Sequence, residues 1–505
     1  MLARQARTNT IHVAFQHMSL VAGIDSSTQS TKVELRDRDS GALIASAQAP
    51  HPPTTPPVSE QAPEAWWAAL VAAMGQVQEH AANIEAISVA GQQHGLVIVD
   101  TAGEVIRPAK LWNDTTSAPN AAALLRKLGS SAWANRCGLV PVASFTISKL
   151  GWVHDNEPEN YARIAKVMLP HDWLTWFLTG NHVTDRGDAS GTGWWSGQVG
   201  YRADLLETVV NDADMWIAER LPLVLGPNDS AGTIRPEVAE MLGLSTAVLV
   251  GPGSGDNMGA ALGLGLAASD VAISLGTSGT AYAVSELPVA DTSGAVAGFA
   301  DATGRYLPLI ATLNATKVTD TVARWLGTDA PGLSTMALEE PARSDSPMLV
   351  PYFDGERTPN LPNSSGRFVG LRTTTTRGDL ARAAHTGVAC GLLAGVDALA
   401  AAGVDVGGTL RLIGGGARSK AYQQILADLW GRPISVHTDG ELVATGACVQ
   451  AAAVASGGTV DDVADAWNLR YGTEVNPSRG ADAEAIRAAY AAAANELLPD
   501  GGGRP

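Results

Sequence analysis

The chain has 505 residues, of which 45% are hydrophobic and 17% charged. Because a compact domain usually contains about 100–200 residues, this length predicts two large domains or three smaller ones. The hydrophobic content is sufficient for large buried cores and excludes an intrinsically disordered chain. The net charge of −17 repels phosphate backbones, so we expect no nucleic-acid partner.

Cysteine usage and hydropathy bear on the compartment. The three cysteines lack CxxC spacing, so neither a disulfide framework nor a zinc site is predicted, and we expect a reducing, cytoplasmic environment. No uninterrupted apolar run approaches the ~18–20 residues that span a bilayer, so no membrane is expected. We expect residues 1–19 to be a disordered extension, with Met18 as an alternative start to Met1, and residues 498–505 to be a disordered tail.

A β-hairpin is predicted close to the N-terminus. Residues 20–25 read as a short apolar strand that ends in Asp25, five polar residues follow, and residues 31–37 alternate as a second strand. Residues 42–47 resemble a third strand. An Ala-rich helix then begins near Pro63, because proline is tolerated in the first turn of a helix.

A second hairpin of the same kind occurs at residues 271–284, with the turn Gly-Thr-Ser-Gly-Thr at 276–280. Two hairpin-led α/β units in one chain indicate a duplicated α/β architecture with a cleft between the halves. We place the boundary within residues 265–270. This gives an N-terminal domain of residues 20–266 and a C-terminal domain of residues 267–497.

Both hairpin turns are rich in hydroxyl side chains. A carboxylate at a strand end beside such a turn, as at Asp25, can hold Mg²⁺ while the turn offers hydroxyl and N–H groups to a phosphate. An Asp followed by two serines is also ordinary turn chemistry. The equivalent turn at 276–280 favours the functional interpretation, because two such turns can bind a polyphosphate from opposite sides.

Residues 251–257, Gly-Pro-Gly-Ser-Gly-Asp-Asn, form a glycine-rich loop followed by an acid. Glycines allow backbone conformations that larger residues resist, so the loop can present Asp256 to a substrate hydroxyl and Asp256 can accept its proton. Alternatively, Asp256 is the N-cap of the helix that follows. The two roles are compatible, because a carboxylate at a helix N-terminus is favoured in its charged form.

A third loop, Gly-Gly-Gly-Ala at 414–417, lies between a predicted strand at 409–413 and a helix that Ser419 can cap. Its glycines would let the backbone approach a base or a ribose. The spacing is not GxGxxG, so a dinucleotide fold is not supported. A plain tight turn is the alternative.

Polar side chains follow the strand predicted at residues 84–90. Gln92, Gln93 and His94 lie at its C-terminal edge, a position that suits recognition of a polyhydroxylated ligand. A lone histidine is more often structural, but this one has two amide neighbours. Trp112, followed by Asn and Asp, adds an aromatic face typical of sugar sites.

These segments and several others resemble the FGGY carbohydrate kinases and follow one another in the order found in that family. They are residues 25–32, 91–95, 111–114, 149–152, 184–192, 253–257, 274–280, 355–359 and 414–419. The resemblance implies two ribonuclease-H-like domains of the actin/hexokinase type, flanking a deep cleft for nucleotide and sugar.

The resemblance also implies a role for each candidate residue. Asp256 would be the general base that deprotonates the sugar, and Asp25 would lie near Mg²⁺ and the phosphates of ATP. The ATP contacts would be Thr28, Gly276, Thr277, Gly414, Gly415 and Ala417. The sugar contacts would be Gln93, His94, Trp112, Asp256 and Asn257.

Within the family the chain is most similar to members that phosphorylate D-xylulose, which implies formation of D-xylulose 5-phosphate. It departs from them at two places. The first turn reads Asp-Ser-Ser-Thr at 25–28 instead of Asp-Leu-Gly-Thr, and Gln93 stands where Met is common. The alternatives are an FGGY kinase for ribulose, a polyol or gluconate, a non-kinase actin-fold ATPase, or a sugar-sensing protein. A homodimer is a possible assembly.

Overall fold

The computed structural model describes residues 19–341, 343, 346–438, 440–480 and 482–498. Residues 1–18 and 499–505, most of the two segments predicted to be disordered, lie outside the described residues, as does the choice between Met1 and Met18.

The N-terminal half is built on a seven-stranded sheet. Across the sheet, six strands follow one another in the order Gly232–Thr233, Leu249–Val250, Ile84–Gly91, Leu20–Ser26, Ser30–Asp37 and Leu43–Pro50. The seventh, Ser254–Gly255, extends the edge of Ile84–Gly91 in parallel.

The C-terminal half has a second seven-stranded sheet. Its strands follow one another in the order Ala297–Ala300, Tyr306–Thr312, Gly279–Ala283, Val271–Leu275, Leu410–Ile413, Ile434–Val436 and Thr473–Val475.

The two sheets share one pattern of strand pairing from the closing edge strand to the third strand of each half. In each, the first strand pairs antiparallel with the second, which pairs antiparallel with the next strand outward. The first strand also pairs in parallel with a later strand, which pairs in parallel with another, and an antiparallel strand closes that edge. The prediction of a duplicated α/β architecture is therefore confirmed, and the first strands begin within one residue of the predicted positions.

Helices cover and connect the sheets. In the N-terminal half the α-helices are Pro63–Gln76, Ala118–Leu128, Ser130–Cys137, Thr146–Asn156, Pro158–Ala162, Pro170–Thr179, Arg186–Ser190, Ala203–Leu206, Ala213–Glu219, Pro236–Leu242 and Asp256–Gly263. In the C-terminal half they are Thr316–Trp325, Ala330–Glu339, Arg377–Ala401, Lys420–Trp430, Leu442–Ser456, Val460–Ala466 and Ala483–Asn495. The described part of the chain also contains two 3-10 helices, Gln78–Asn83 and Gly415–Arg418.

Five two-stranded pairs complete the strand assignment. They are Glu60–Gln61 with Ala109–Lys110, Val97–Val99 with Lys166–Met168, Val183–Asp185 with Leu223–Leu225, Trp195–Ser196 with Gly200–Tyr201, and Met348–Val350 with Arg367–Val369.

Two helices cross where the halves meet. Helix Asp256–Gly263 packs against helix Leu442–Ser456, and the approach is so close that a Cβ at Gly446 would lie 1.9 Å from the carbonyl oxygen of Gly259. Helix Leu442–Ser456 also packs on the first strand of the N-terminal sheet, at Gly23. The glycines therefore allow helix Leu442–Ser456 to pack closely on both elements. This packing fixes the position of the helix that begins with Asp256.

One described helix, Arg377–Ala401, is long and apolar enough to cross a membrane by length and composition alone. The helix contains no uninterrupted apolar run of that length, because Arg382, His385 and Asp397 interrupt it. The bent pair Leu442–Ser456 and Val460–Ala466 passes the same test if it is counted as one span. In Arg377–Ala401, 72% of the apolar window is buried inside the protein, so this helix is an element of the core.

Candidate active site

Strand register brings three candidate segments to one edge of the N-terminal sheet. Ser26 pairs with Gly91, and Gly91 pairs with Gly255. The three strands end here and run in the same direction, so the residues around each end lie side by side. Asp25, the residues after Gly91 and Asp256 are thus brought together, although no strand was predicted before Asp256.

Asp25 lies in the first hairpin, opposite Lys32 in the antiparallel register. The Nζ of Lys32 is 3.8 Å from Asp25 Oδ2 and 2.6 Å from Glu441 of the C-terminal half, and the Ser27 hydroxyl donates to Asp25. Burial raises the pKa of Asp25 to about 6, although the bond from Ser27 and the charge of Lys32 oppose this shift. The site therefore contains a buried carboxylate beside a lysine that links the two halves.

Asp256 is the first residue of helix Asp256–Gly263, and Gly255 is its N-cap. The alternative that Asp256 itself caps the helix is therefore wrong by one position. Its Oδ1 accepts hydrogen bonds from the backbone N–H of Asn257 at 2.8 Å and from Asn257 Nδ2 at 2.9 Å. Burial raises its pKa to about 7, and the charge of Asp25 contributes. A carboxylate with this pKa can exchange a proton near neutral pH.

Gln93 lies beside Asp256 and is bound to the same asparagine. Its Oε1 accepts a hydrogen bond from Asn257 Nδ2 at 2.8 Å, and its side chain is almost completely buried. Its Nε2 has no hydrogen-bond partner among the described residues. Gly255 makes room for the amide, because a Cβ there would lie 2.6 Å from Gln93 Cγ.

His94 has a left-handed backbone, with φ of 64°. Its N–H donates to Asp188 Oδ1 at 3.3 Å, and its carbonyl accepts from Lys149 Nζ at 3.0 Å and Thr146 Oγ1 at 3.2 Å. Burial and the charges of Lys149 and Arg357 hold the pKa of His94 well below its usual value. His94 is therefore neutral, and three polar groups bonded to its main chain define its position.

The ring of His94 packs against aromatic rings from both halves. It stacks on Phe299, with ring centroids 5.4 Å apart, and meets Phe145 edge-on at 5.1 Å. Because Phe299 lies on strand Ala297–Ala300, the C-terminal half contributes to the surroundings of His94.

A buried ion cluster lies behind His94. The Nε2 of His171 is 3.1 Å from Asp185, 3.3 Å from Asp172 and 3.7 Å from Asp188. Burial disfavours the protonated imidazole, but the carboxylates outweigh it and raise the pKa of His171 to about 9. The protonated His171 thus lies beside Asp188, the carboxyl group that accepts a hydrogen bond from the His94 N–H.

Trp112 and Thr28 are bound directly to each other. Trp112 Nε1 donates to Thr28 Oγ1 at 2.9 Å, and the Thr28 hydroxyl donates to Gln92 Oε1 at 3.3 Å. Trp112 is 36% exposed, so part of its indole remains accessible. Thr28, which the resemblance assigns to the phosphates, therefore joins the first hairpin turn to Trp112 and Gln92.

The two loops assigned to the nucleotide lie at the ends of neighbouring parallel strands, Val271–Leu275 and Leu410–Ile413. The carbonyl of Gly276 accepts from the N–H of Thr316, and Thr277 is exposed at the tip of its turn. The 3-10 helix Gly415–Arg418 begins after Gly414, whose φ is 86°.

Accessibility varies along the loop at residues 414–417. A Cβ at Gly415 would meet nothing within 4 Å, whereas the side chain of Ala417 is fully buried. Ser419 caps helix Lys420–Trp430 by accepting from the N–H of Tyr422, as predicted. Backbone is thus available to a ligand at Gly415.

Five residues around His94 were not assigned roles from the sequence: Phe145, Thr146, Lys149, Asp188 and Phe299. Lys149 and Asp188 belong to segments that resemble the family, but their sequence context did not indicate what either side chain contacts. Phe299 had no such signal, because its contact joins distant parts of the chain. Among the described residues, no group of three or more His, Cys, Asp or Glu side chains is arranged to hold a metal ion by itself.

Family models match most of the chain. A model of the N-terminal domain of the FGGY family of carbohydrate kinases matches residues 20–263, and a model of the C-terminal domain matches residues 271–455. The chain belongs to the FGGY family of carbohydrate kinases. This FGGY kinase is therefore an enzyme of the sugar phosphotransferase class, with a sugar and ATP as its substrates. The predicted boundary within residues 265–270 lies between the two matched ranges. The exact limits of the two domains stay a prediction.

Individual relatives are similar over nearly the whole FGGY kinase chain. A xylulose kinase of Streptomyces coelicolor is 48% identical over 455 residues, which are 90% of this chain and 92% of that protein. The crystal structure of xylulose kinase from Bifidobacterium adolescentis has a TM-score of 0.84 and 40% identity, covering 94% of this chain and 99% of that one.

A gluconate kinase from Lactobacillus acidophilus has a TM-score of 0.88 at 22% identity, covering 96% of this chain and 99% of that one. This structure is at least as similar in fold as the xylulose kinase, yet its name refers to a different sugar. Similarity of fold therefore does not distinguish the sugars.

Proposed function

We propose that this FGGY kinase transfers the γ-phosphoryl group of ATP to the O5 hydroxyl of D-xylulose. The observation that carries the chemistry is the half-buried carboxylate of Asp256, with its pKa of about 7, at the edge where Asp25 and Gln93 also lie. The identity of 48% to a protein named xylulose kinase, over 90% of this chain, supports the choice of sugar.

In the proposed reaction, Asp256 accepts the proton of the O5 hydroxyl as that oxygen attacks the γ-phosphorus. A new O5–P bond forms, the bond from the γ-phosphorus to the bridging oxygen breaks, and ADP leaves. Transfer of this kind depends mainly on positioning and on stabilisation of charge. Gln93, His94, Trp112 and Asn257 would hold the sugar for that attack.

The phosphates would lie between the two hairpin turns, beside Asp25, Thr28, Gly276 and Thr277, with the adenosine against Gly414, Gly415 and Ala417. Mg²⁺ usually binds one or two carboxylates together with substrate phosphates and water, and Asp25 fits this donor set. When bound, the ion would neutralise charge on the phosphates. Lys32, 3.8 Å from Asp25, would add a second positive charge.

A cytoplasmic location is part of the proposal. All three cysteines, Cys137, Cys390 and Cys448, are buried and free, as is usual for proteins of reducing compartments.

The test is ADP release by the purified protein with Mg²⁺–ATP and a panel of D-xylulose, D-ribulose, glycerol, gluconate and no sugar. The proposal predicts the highest kcat/KM with D-xylulose and a product with the mass of a pentulose phosphate. Faster turnover of another sugar would change the proposed substrate but would leave the assignment as a sugar kinase unchanged. Equal ADP release with and without every sugar would contradict the proposed reaction, because ATP would then be hydrolysed without a sugar acceptor.

A further inference from the structure

The side chain of Asn257 lies between Gln93 and Asp256, the candidate base. Asn257 Nδ2 donates to Gln93 Oε1 at 2.8 Å and to Asp256 Oδ1 at 2.9 Å. The orientation of the Asn257 amide is thus set by two acceptors, one on Gln93 and one on Asp256. None of the hydrogen bonds among the described residues is donated to Asp256 Oδ2, which leaves that oxygen for a ligand.

The chemistry of the three groups fixes the direction of each bond. An ionised carboxylate can only accept, so the group of Asn257 that faces Asp256 is its NH₂. The partner of the second Nδ2 hydrogen must also accept, so Gln93 presents its oxygen to Asn257. Gln93 Nε2, which has no partner among the described residues, is therefore the group left over for a substrate oxygen.

We propose that Gln93 is a positioning residue for Asp256. By accepting from Asn257, it holds the asparagine in the orientation that donates to Oδ1, so that Oδ2 accepts the proton of the sugar hydroxyl. This inference rests on the proposed role of Asp256 as the base. A methionine at position 93 offers only a weakly accepting thioether sulfur and would leave Asn257 free to turn.

Few other ionisable groups act on Asp256. Asp25 raises its pKa through its charge, and Tyr282 of the C-terminal half is close enough for Asp256 to raise the pKa of its hydroxyl, which stays neutral. On the helix packed against it, Leu442–Ser456, the ionisable side chain is Cys448, whose pKa burial raises.

Other neighbouring elements carry acids that are already paired or capping. Strand Ile84–Gly91 carries Glu85, which pairs with Arg38. Helix Val460–Ala466 carries Asp461, Asp462 and Asp465, of which the first pairs with Arg305, the second contributes to the helix cap and the third pairs with Arg470. A change at position 93 therefore reaches Asp256 mainly through Asn257.

The test is a double-mutant cycle on the pH dependence of kcat/KM. Native enzyme, Gln93→Met, Asn257→Ala and the double variant are compared, with whichever sugar of the panel the native enzyme phosphorylates fastest. Loss of a hydrogen bond donated to the charged carboxylate should lower kcat/KM roughly tenfold and move its acid limb upward by about one pH unit. In the Asn257→Ala background, Gln93→Met should move the limb no further.

The matched control is Gln198→Met, the same change at an exposed glutamine, which should leave the profile unchanged. Gln93→Leu is measured in parallel, so that the cycle can be completed if the methionine variant does not fold. An unshifted acid limb with a raised KM, or an equal shift in both backgrounds, would overturn the inference, because Gln93 would then act on the substrate alone.

A readout without turnover separates this inference from the proposed function. The carboxyl ¹³C signal of Asp256, assigned by its loss in Asp256→Asn, is titrated in native protein and in Gln93→Met. A higher pKa in the variant supports the inference even if no sugar of the panel is phosphorylated. An unchanged pKa overturns it even if D-xylulose proves to be the substrate.

Discussion

The imidazole of His94 stacks on the phenyl ring of Phe299, with ring centroids 5.4 Å apart and planes inclined at 29°. His94 follows strand Ile84–Gly91 of the N-terminal sheet, whereas Phe299 lies on Ala297–Ala300, an edge strand of the C-terminal sheet. A candidate sugar-binding side chain is thus oriented by the half that carries the nucleotide loops. Binding of the sugar should therefore depend on a contact between the halves.

Phe299→Ala should weaken both sugar binding and stability. Loss of the ring contact is worth about 0.5–1.5 kcal/mol, so KM for the sugar should rise by up to about tenfold, with KM for ATP nearly unchanged. Removing a buried phenyl ring should also lower the free energy of unfolding by about 3–5 kcal/mol. Phe177→Ala, which removes a ring that packs on Trp67 away from the site, should change stability but not KM. An unchanged sugar KM in Phe299→Ala would show that the stack does not orient His94.

Lys149→Met should disturb His94 from the other side. The Nζ of Lys149 donates to the main-chain carbonyls of His94 and Ser144, and the side chain is fully buried. Without it these carbonyls lose a donor, which should lower the free energy of unfolding by about 1–3 kcal/mol. The control is Lys127→Met, because Lys127 also donates to a main-chain carbonyl but at the exposed surface.

We expect KM for the sugar to rise in Lys149→Met and not in Lys127→Met, with unfolding followed by denaturant titration. Equal stability and equal KM in the two variants would contradict a positioning role for Lys149.

Gly446→Ala should displace the helix that carries Asp256. A Cβ at this position would lie 1.9 Å from the carbonyl oxygen of Gly259, so the two crossing helices would have to move apart. We expect a lower melting temperature and a loss of kcat that exceeds any change in KM for ATP. Gly457→Ala is not a suitable comparison because its φ is positive, whereas Gly75→Ala, which adds a Cβ in open space on an outer helix, should be tolerated. Wild-type kcat in Gly446→Ala would show that the close approach is not needed to place Asp256.

The pKa of Asp256 predicts opposite effects of pH on stability and activity. Burial raises this pKa from 3.8 to about 7, so between these values the unfolded chain releases the proton and the folded chain retains it. Stability contributed by this group is therefore complete below pH 3.8 and decreases as the pH rises to about 7. Activity should increase over the upper part of the same range, because the base must be ionised.

Asp256→Asn should accordingly raise the melting temperature at pH 8 relative to native protein, by an amount that shrinks toward pH 4. A stability difference that does not vary with pH would contradict the raised pKa.

The fold was largely predictable because each half begins with a strong local signal. The alternation at residues 31–37 and the turn at 276–280 identified both hairpins, and Pro63 and Ser419 marked helix starts that the structure bears out. These features depend on neighbours in sequence, so the chain itself encodes them locally. The position of helix Leu442–Ser456 on the N-terminal sheet depends on contacts between distant residues and was not predicted.

The candidate site was predictable to a similar extent. Asp25 and Gln93 were recognised as polar residues at strand ends and Asp256 as an acid after a glycine-rich loop, and the parallel register explains why they meet. The supporting residues were not: Phe299 reads as an ordinary strand residue, and Lys149 as an ordinary helix residue, until the fold places them on His94. Their roles arise from packing between segments, for which a single sequence contains no local pattern.

The most direct test of the account is the turnover of Asp256→Asn. The change removes the proton acceptor while keeping size and most hydrogen-bonding capacity, so sugar-dependent ADP release should fall by about 10²–10⁴-fold. Binding of Mg²⁺–ATP, measured by calorimetry on the same samples, should stay within a few-fold of native protein. Turnover above about a hundredth of the native rate would contradict the assignment of Asp256 as the general base.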